Sequence, residues 1–448
     1  MGAVISTLIG VIITVVAFFA LFFLINLVLD QARTNWSLFL GAVGLFLGLL
    51  IGAFLNGNWV GGGLLTIFAG GVVGAVLGAG LGRTQDLSGP RRAAIADKVR
   101  PWVFVGPALF AVSITLIIPT IRTAILALKN RDSSSWVGFD NFQWIFTNDD
   151  LFKVSGWTDI FGSRLFYAGL VGVAVGLFLA VRRGREIGVR ADWENPSTVG
   201  WISVGVVGVL FAVFTVLSGV IWNNLWWVFS VTLFATGLGL FVAAVSNRME
   251  RGETIVKAII FLPMAISMVG ASVIWRFVYN FQPPGETQIG ALNALMDFFG
   301  QAPVPWLIRL PWNTFFLIIV MIWIQAGFAM VVLSSAIKAV PGDQIEAARV
   351  DGATDRDIFW RVTIPNIRST IAVVVTTLIV VVMKVYDIVK VMTNGEFDTN
   401  VIANEMFDQA FRFTQAGRGA ALATVLLIFI LPIMYINIRR VQEEAALR

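Results

Sequence analysis

Long apolar segments recur along the whole chain, and they constrain the fold more than any other feature of the sequence. A helix needs about 20 apolar residues to cross a bilayer, and nearly all of the segments reach that length. The eleven segments are Val4–Leu29, Trp36–Leu55, Trp59–Leu81, Val103–Leu128, Leu165–Val181, Val199–Val220, Leu225–Val245, Ala258–Tyr279, Trp312–Ile337, Ile371–Val391 and Ala420–Ile438. The sequence shows no run of alternating segments of about ten residues, which would mark a membrane barrel. We therefore predict an all-α fold, a polytopic bundle of about 11 transmembrane helices.

The composition excludes the soluble and disordered classes. Hydrophobic residues make up 57% of the 448 residues and charged residues only 13%, which is half the charge of a soluble domain, about 25%. Disordered chains are also polar and rich in charge. The counts of Cys and His are both 0, which removes thiol nucleophiles, the usual metal ligand and the usual general base. We expect a protein that binds and moves, with no catalytic site, no metal and no nucleic-acid partner.

The basic residues predict the orientation in the membrane. With the N-terminus outside, eleven crossings place the C-terminus in the cytoplasm, and most of the 32 Lys and Arg residues then lie on the cytoplasmic side. Their cytoplasmic positions fall mainly in residues 83–100, 182–190, 248–257, 338–368 and 439–448. Because cytoplasmic loops carry an excess of Lys and Arg, this bias favours an N-out, C-in topology. The shortest segment, Leu165–Val181, is the crossing on which this count depends most.

The chain divides by composition into an N-terminal part and a larger core. Residues 1–82 hold three nearly uncharged helices, in which glycine recurs every fourth residue on one face. These glycines are Gly44, Gly48 and Gly52 in the second segment and Gly70, Gly74, Gly78 and Gly82 in the third. Such spacing lets two helix backbones approach closely, so we interpret it as packing. Residues 83–100 form a basic linker, and residues 101–440 form the core, with an inserted hairpin at about 164–222.

The loop between Ile337 and Ile371, residues 338–369, is the most informative stretch. The pattern predicts two short helices with a hinge: Asp343 caps the first, with Glu346 closing a capping box, and Gly352 ends it. Thr354 caps the second helix, and Pro365 closes the loop before the next membrane helix. A small, capped element whose surface carries Ala347, Ala348 and Ala353 is suited to docking in a groove of a partner.

This loop closely resembles the EAA loop of ATP-binding cassette (ABC) importer permeases. The matching positions are Glu346-Ala347-Ala348, Asp351-Gly352-Ala353, Phe359 and Ile364-Pro365. In that family the loop is a coupling helix, which sits in a cleft of the ATP-binding subunit and passes its motion to the membrane helices. The resemblance therefore implies that Glu346, Ala347, Ala348, Asp351, Gly352, Ala353, Phe359 and Pro365 contact that subunit.

Further motifs resemble the maltose-type carbohydrate permeases, and among them most closely the alpha-glucoside permeases. They are Gly138-Phe139-Asp140-Asn141-Phe142, Phe261-Leu262-Pro263, Ile274-Trp275-Arg276, Lys384-Val385-Tyr386-Asp387 and Thr393-Asn394-Gly395. The resemblance implies a dimer of ATP-binding subunits, a second EAA-bearing permease, an extracellular solute-binding protein and a sugar substrate, in a prokaryotic plasma membrane. The phosphate-binding pattern G-x-x-x-x-G-K-[ST] does not occur. This chain is therefore expected to bind no cofactor, with ATP and Mg on the partner subunits.

Two charged residues lie inside an otherwise apolar segment. Lys384 and Asp387 are three positions apart, so one helical face can carry both. Burying each charge costs about 2.5–3.5 kcal/mol on insertion scales, so a structural or functional role must offset the cost of the pair. One interpretation is an ion pair that locks helix packing, and the other is a pair that binds sugar hydroxyls. The neighbouring Tyr386 either stacks on a sugar ring or packs.

Polar and aromatic residues also mark the helix that leads into the EAA loop. By resemblance to the maltose permeases, Gln325 and Phe328 are candidates for the sugar pathway, since amides bind hydroxyls and aromatic rings bind the apolar face of a pyranose. Trp323 lies near them, although an aromatic residue in a membrane helix more often packs. Arg276 ends the eighth segment, where we interpret it as an interfacial anchor.

Other classes of function make different demands on the sequence. An ion-coupled secondary sugar carrier needs internal repeats and broken helices around an ion site, and the two halves show no repeat. A membrane glycosyltransferase needs paired acidic catalysts at an interface, and Asp149-Asp150 is only a short acidic pair in an outer loop. A structural scaffold, like the carrier and the enzyme, has no use for a coupling loop. The sequence favours an importer permease, and it does not fix the sugar.

Overall fold

The computed structural model describes residues 64–83, 112–153, 156–186, 188–193, 195–249 and 251–446, together with single residues between 41 and 52 and between 105 and 109. The predicted first segment, Val4–Leu29, and the linker at 84–100 lie outside the described residues. The chain separates into two compact units, Met1–Ile121 and Arg122–Arg448.

The described residues are helical, apart from turns, loops and one isolated bridge between Lys129 and Trp136. We number the helices α1 to α16 in chain order. They are α1 Leu64–Arg83, α2 Ile118–Leu126 (after a π-turn, Ser113–Ile117), α3 Asp140–Thr147, α4 Gly156–Ile160, α5 Arg164–Glu186, α6 Pro196–Val216, α7 Val220–Ser246, α8 Glu253–Phe261, α9 Met268–Val278, α10 Ala291–Phe298, α11 Asn313–Lys338, α12 Gly342–Val350, α13 Asp355–Met383, α14 Asp387–Met392, α15 Ile402–Phe407 (before a π-turn, Asp408–Arg412) and α16 Ala416–Ala446.

Six of these helices are long and apolar enough to cross a membrane in the described part of the chain, or seven if the bent pair α8–α9 is one crossing. The six are α5, α6, α7, α11, α13 and α16. The all-α membrane fold is therefore confirmed. The predicted number of about 11 crossings is not tested in full, because the first segments lie largely outside the described residues.

Close glycine contacts in the N-terminal unit confirm the packing interpretation of its glycine pattern. A Cβ atom added to Gly44 would overlap the carbonyl oxygen of Gly74, and one added to Gly48 would overlap that of Gly70. The two backbones therefore touch along this face, which only glycine permits.

The core of the larger unit is built around α11, the most buried of the six long helices. Leu317, Met321 and Met330 on α11 are fully buried, and they pack in one cluster with Trp227 of α7 and Leu378 of α13. Helices α7 and α11 meet closely at Gly239, where an added Cβ atom would lie 2.7 Å from the backbone nitrogen of Met330. A second cluster joins the middle of α16 to the start of α7 and to α15.

Helices α5 and α6 form a closely packed pair. The predicted segment Leu165–Val181 lies within the 23-residue helix α5, so the shortest predicted crossing is long enough to span. A glycine stripe on α5 makes the contact: an added Cβ at Gly172 would lie 2.9 Å from the Cα atom of Gly205 on α6. The predicted segment Val199–Val220 does not continue to Val220, because α6 ends at Val216 and α7 begins at Val220.

The predicted single helix over Ala258–Tyr279 is wrong. Helix α8 ends at Phe261, a 3₁₀ turn follows at Leu262–Ala265, and α9 leaves at an angle of 101°. Pro263 lies in the break, and Ser267 starts α9 by accepting a hydrogen bond from the backbone N–H of Gly270 at 3.1 Å. A proline and a side-chain cap stop one helix and start another within a few residues.

The predicted helix over Ile371–Val391 is also too long. Helix α13 ends at Met383, Lys384 to Tyr386 break the helix, and the short α14 begins at Asp387. Tyr386 has φ −140° and ψ −56°, which is not helical. Hydropathy alone does not show such a break, because Val385 is as apolar and as buried as its helical neighbours.

The Gly138-Phe139-Asp140-Asn141-Phe142 motif has a structural role. Asn141 donates two hydrogen bonds of 2.8 Å, to the carbonyl oxygens of Ala127 and Lys129, and so caps the end of α2. Gly138 has φ +63°, a conformation that glycine adopts without strain. The motif therefore fixes the turn from α2 into α3.

Candidate functional site

The loop between α11 and α13 contains a short helix with well-defined ends. Helix α12 begins at Gly342 after Pro341, and Asp343 lies in its first turn without capping it, so the predicted Asp343–Glu346 capping box is wrong. Pro341 occupies the N-cap position instead. Proline is tolerated there, because the start of a helix does not require the backbone N–H that proline lacks. At the other end, Gly352 has φ +81° and ends the helix as predicted.

The turn at Gly352 is a Schellman motif. The backbone N–H of Ala353 donates to the carbonyl oxygen of Ala348 at 2.9 Å, and that of Gly352 donates to Arg349 at 3.0 Å. These two bonds satisfy carbonyl groups that the end of a helix leaves unpaired. The left-handed residue they require favours glycine.

The second helix of the loop is continuous with the following membrane helix. Thr354 caps this helix as predicted, in a capping box with Asp357, and α13 then runs for 29 residues from Asp355 to Met383. The prediction that Pro365 closes the loop is wrong. Pro365 lies inside α13, just after a π-turn over Ile358–Thr363. The π-turn changes the local hydrogen-bonding pattern where a proline would otherwise interrupt the helix.

The predicted docking residues lie together on this loop, and most of them are exposed. None of the residues of α12 is buried, and Val350 at its end is 87% exposed. Glu346, Ala347, Asp351, Gly352 and Pro365 are exposed, and Ala348, Ala353 and Phe359 are half-buried. Asn366 of α13 donates a hydrogen bond of 2.9 Å to the side-chain oxygen of Gln344, which holds α12 against α13.

A polar network at the base of the loop escaped the sequence analysis. Glu253 at the start of α8 forms ion pairs of 2.5 Å with Lys257 and with Lys338, the last residue of α11. Lys257 also donates to Asn247 at 2.7 Å and to Ser334. The network joins the end of α7, the start of α8 and the end of α11. The spacing of Glu253 and Lys257 by four residues was the available signal.

The predicted pathway residues on α11 lie in the core of the larger unit. Gln325 is buried, and its side chain forms no hydrogen bond with the described residues. Phe328 is half-buried against the α11 cluster. Trp323 packs edge-on against Trp275 at 5.7 Å, which supports the packing interpretation of this residue.

The structure separates Lys384 from Asp387. Lys384 is the exposed C-cap of α13 and Asp387 is the first residue of α14, so they do not share a helical face and form no ion pair with each other. The ion pair on which the packing interpretation depends is therefore not formed between Lys384 and Asp387. Tyr386 packs on Phe407 with ring centroids 5.6 Å apart.

Arg276 is more than an interfacial anchor. It donates a hydrogen bond of 3.2 Å to the carbonyl oxygen of Val391, which ties α9 to α14. No hydrogen bond or ion pair joins Gln325 or Phe328 to Lys384 or Asp387 in the described part of the chain. The predicted pathway residues therefore do not form one connected polar site within this chain.

The larger unit is a bundle of long apolar helices with a short exposed helix between two of them, which is the architecture of a polytopic membrane protein. The family described as binding-protein-dependent transport system inner membrane component matches residues 235–444. The alpha-glucoside transport system permease protein AglF of Rhizobium meliloti (strain 1021) is 37% identical over 356 residues, which cover 79% of this chain and 86% of the relative. The chain belongs to this family of inner membrane permeases, and it is a transport component rather than an enzyme.

Two further comparisons agree with this assignment. The osmoprotective compounds uptake permease protein GgtC of Synechocystis sp. is 52% identical over 226 residues, 50% of this chain and 81% of the relative. A chain in the crystal structure of a bacterial alginate ABC transporter, solved in complex with an alginate pentasaccharide-bound periplasmic protein, has a TM-score of 0.54 at 18% identity. That likeness covers 77% of this chain and 94% of the other, and it supports the fold.

Proposed function

We propose that this chain is one of two permease subunits of an ATP-driven importer for carbohydrates, with α-glucosides or related oligosaccharides, such as maltose or trehalose, as the first candidates. The names of the relatives support a sugar: one is an alpha-glucoside permease, and another, 27% identical over 214 residues, is a trehalose/maltose permease of Thermococcus litoralis. The two permeases together form the translocation path, and this chain supplies half of it.

The exposed α12 is the observation that carries the coupling part of the proposal. A helix with no buried residue makes few contacts of its own, yet a Schellman motif at Gly352 fixes its C-terminal end, and a capping box at Thr354 fixes the start of the helix that follows. Such a helix is shaped before any partner binds, which lowers the entropy cost of docking. In our proposal Glu346, Ala347, Ala348, Asp351, Gly352, Ala353, Phe359 and Pro365 form the face that meets the ATP-binding subunit.

Movement of the docked helix reaches the membrane through two connections. Helix α13 continues without a break from the capping box at Thr354 into the membrane-spanning segment. Lys338 joins the other side of the loop to Glu253 of the bent pair α8–α9. A displacement of α12 therefore moves α13 directly and α8 through the ion pair, and both helices contact α11 in the core.

The remaining parts of the assembly follow from the same proposal. A dimer of ATP-binding subunits holds ATP and Mg, a second EAA-bearing permease completes the path, and an extracellular solute-binding protein delivers the sugar. The basic loops face the cytoplasm, so the chain is N-out and C-in, surrounded by membrane lipid. Residues 1–82 add three helices to the core at 101–440, with residues 83–100 as a linker and about 164–222 as an inserted hairpin.

Five residues are candidates for the sugar pathway. Gln325 offers a buried amide with no protein partner among the described residues, and Phe328 offers an aromatic ring beside it on α11. Lys384, Tyr386 and Asp387 lie at the break between α13 and α14, where a chain that leaves the helix exposes polar groups. A broken helix at a polar position is a common place for a transport site.

Reconstitution of the complete importer tests this function. The chain is purified with its ATP-binding subunits and second permease, placed in vesicles, and supplied with the binding protein and radiolabelled maltose. We expect uptake that requires ATP and the binding protein. Uptake that proceeds without ATP and follows an ion gradient would instead identify a secondary carrier.

A further inference from the structure

A cavity of about 410 Å³ lies within the larger unit, lined by α3, the start of α7 and the segment 395–413. Its size falls in the range of small-molecule sites, about 300–1,000 Å³. The sequence analysis assigned no role to this region, apart from the resemblance of the Thr393-Asn394-Gly395 run. None of the residues so far placed in the sugar pathway lines it.

Buried amides form the inner part of the cavity. Asn223 is 7% exposed and Gln409 is 8% exposed. Asn223 donates from its amide nitrogen to the carbonyl oxygens of Asp398 and Asn400, at 2.6 Å and 3.0 Å. The side-chain oxygens of Asn223 and Gln409 accept no hydrogen bond from the described residues. Both oxygens are therefore free to accept a hydrogen bond from a donor in the cavity.

A carboxylate is held in place beside these amides. Glu405 accepts a hydrogen bond of 2.7 Å from Asn400 at one oxygen and another of 2.7 Å from Gln409 at its other oxygen. Each carboxylate oxygen of Glu405 has capacity for a further bond, and the side-chain amides of Asn400 and Gln409 each have a second N–H. The arrangement therefore presents alternating acceptors and donors with fixed positions.

The wall of the cavity carries negative charge and no positive charge. Asp150 and Asp398 are exposed lining residues, and Glu405 is half-buried. No Lys or Arg lies within 4 Å of any of these three carboxylates among the described residues, and none lines the cavity. The nearby cation Lys390 is already paired with Asp408 at 2.9 Å.

Aromatic residues complete the lining. Trp144 of α3 is held from one side by Arg418, whose guanidinium carbon lies 4.4 Å from the ring centroid. Phe413 lies at the end of the segment and is 48% exposed. Aromatic surface beside amides and carboxylates is the combination that binds the mixed polar and apolar faces of a sugar.

Gly395 shows that the segment is built closely around these groups. It has φ +80°, and an added Cβ atom would lie 2.6 Å from both the side-chain oxygen of Asn400 and the side-chain nitrogen of Asn404. A larger residue would displace Asn400, which holds Glu405. The Thr393-Asn394-Gly395 run therefore shapes the cavity.

We infer that this cavity binds a neutral, polyhydroxylated solute, a mono- or disaccharide, and discriminates against its carboxylate-bearing counterpart. This inference rests on the proposed function and deepens it by naming the charge class of the substrate. A hydroxyl group both donates and accepts, so it matches alternating amides and carboxylates, whereas an ammonium group only donates. An anionic sugar would meet three carboxylates without a lining cation, and such juxtaposed like charges oppose binding.

Photolabelling of the complete importer in detergent, without ATP, tests the inference. The probe is maltose that carries a diazirine group. The competitors are maltose, the same disaccharide with one 6-hydroxymethyl group oxidised to a carboxylate, and an amino disaccharide. We expect the label on residues 144–150, 219–223 or 395–413, and we expect maltose to compete about tenfold more strongly than the acid, as like-charge repulsion predicts.

Two matched double variants separate the cavity from general charge effects. Glu405→Gln with Asp398→Asn removes two cavity carboxylates, and the difference between the competitors should shrink severalfold. Glu286→Gln with Asp297→Asn removes two exposed carboxylates that do not line the cavity, and the difference should remain. Labelling elsewhere, equal competition by maltose and the acid, stronger competition by an amino disaccharide, or equal behaviour of the two double variants would overturn the inference. Labelling needs no transport, so a failure of ATP-driven uptake would count against the proposed function alone.

Discussion

The turn at Gly352 gives a quantitative test of the coupling role of α12. An alanine there has room, because nothing lies within 4 Å of an added Cβ atom, so the substitution acts through the backbone angle φ of +81° alone. A left-handed alanine costs about 1–2 kcal/mol. The free loop can relieve that strain by opening the turn, since α12 has no buried residue. Because docking requires the closed turn, the same strain then weakens binding of the ATP-binding subunit.

The chain contains a matched control for this substitution. Gly300 ends α10 with φ +69°, an open Cβ position and the same pair of bonds, from Gly300 to Asp297 at 2.8 Å and from Gln301 to Met296 at 2.9 Å. Gly300→Ala therefore imposes the same local strain at the end of a different exposed helix. Any general effect of such strain on folding or yield should appear equally in both variants.

We expect Gly352→Ala to weaken binding of the ATP-binding subunit about 5- to 30-fold, because each 1.4 kcal/mol corresponds to a factor of ten. Gly300→Ala should leave that affinity unchanged. The assay is titration of the purified subunit against the permease pair in lipid nanodiscs. Equal affinities of the wild type and Gly352→Ala, at equal yield of folded protein, would refute the docking role of this turn.

Three further predictions concern packing and polar contacts. Gly239→Ala should lower the free energy of unfolding in detergent by about 1–3 kcal/mol, because its Cβ would lie 2.5 Å from that of Ala329, whereas Gly237→Ala on the same helix meets nothing and should cost nothing; equal stabilities would contradict the α7–α11 contact. Lys257→Ala should destabilise by about 1.5–3 kcal/mol through the lost bonds to Glu253, Asn247 and Ser334, and the exposed Arg251→Ala in the same loop serves as its control; an equal effect of both would exclude the network. A double-mutant cycle of Lys384→Ala and Asp387→Ala, measured by thermal unfolding, should give a coupling energy near zero. A coupling energy above about 1 kcal/mol would show that the two side chains do form an ion pair.

Apolar length predicted most of the described long helices. The segment Trp312–Ile337 corresponds to α11 at Asn313–Lys338, and Ala420–Ile438 lies within α16. Helices of this kind are fixed by continuous apolar sequence, because every backbone group must bond inside the segment in lipid. The prediction failed where a polar group or a proline breaks the helix inside the apolar run, at Pro263 and at Lys384.

The hinge between α12 and α13 shows the same difference between local and distant signals. Gly352 and Thr354 act through bonds to residues three to five positions away, so the sequence was sufficient to predict them. The cavity was not predictable, because Asn223 meets Asp398 and Asn400 across about 175 residues of chain. Which polar residues converge depends on how α7 packs beside the segment after α14, and no local pattern contains that information.

The absence of cysteine makes the central claim directly measurable, because a single introduced thiol is unique in the chain. Val350→Cys places a thiol at the exposed end of α12, and Phe298→Cys places one on α10 at a similarly exposed position, 82% against 87% for the native side chains. Each variant is labelled with a benzophenone reagent and irradiated in the complete importer. We predict that the label at residue 350 cross-links to the ATP-binding subunit and that the label at residue 298 does not. Absence of that cross-link at residue 350 in an intact complex, or equal cross-linking from residue 298, would contradict the account.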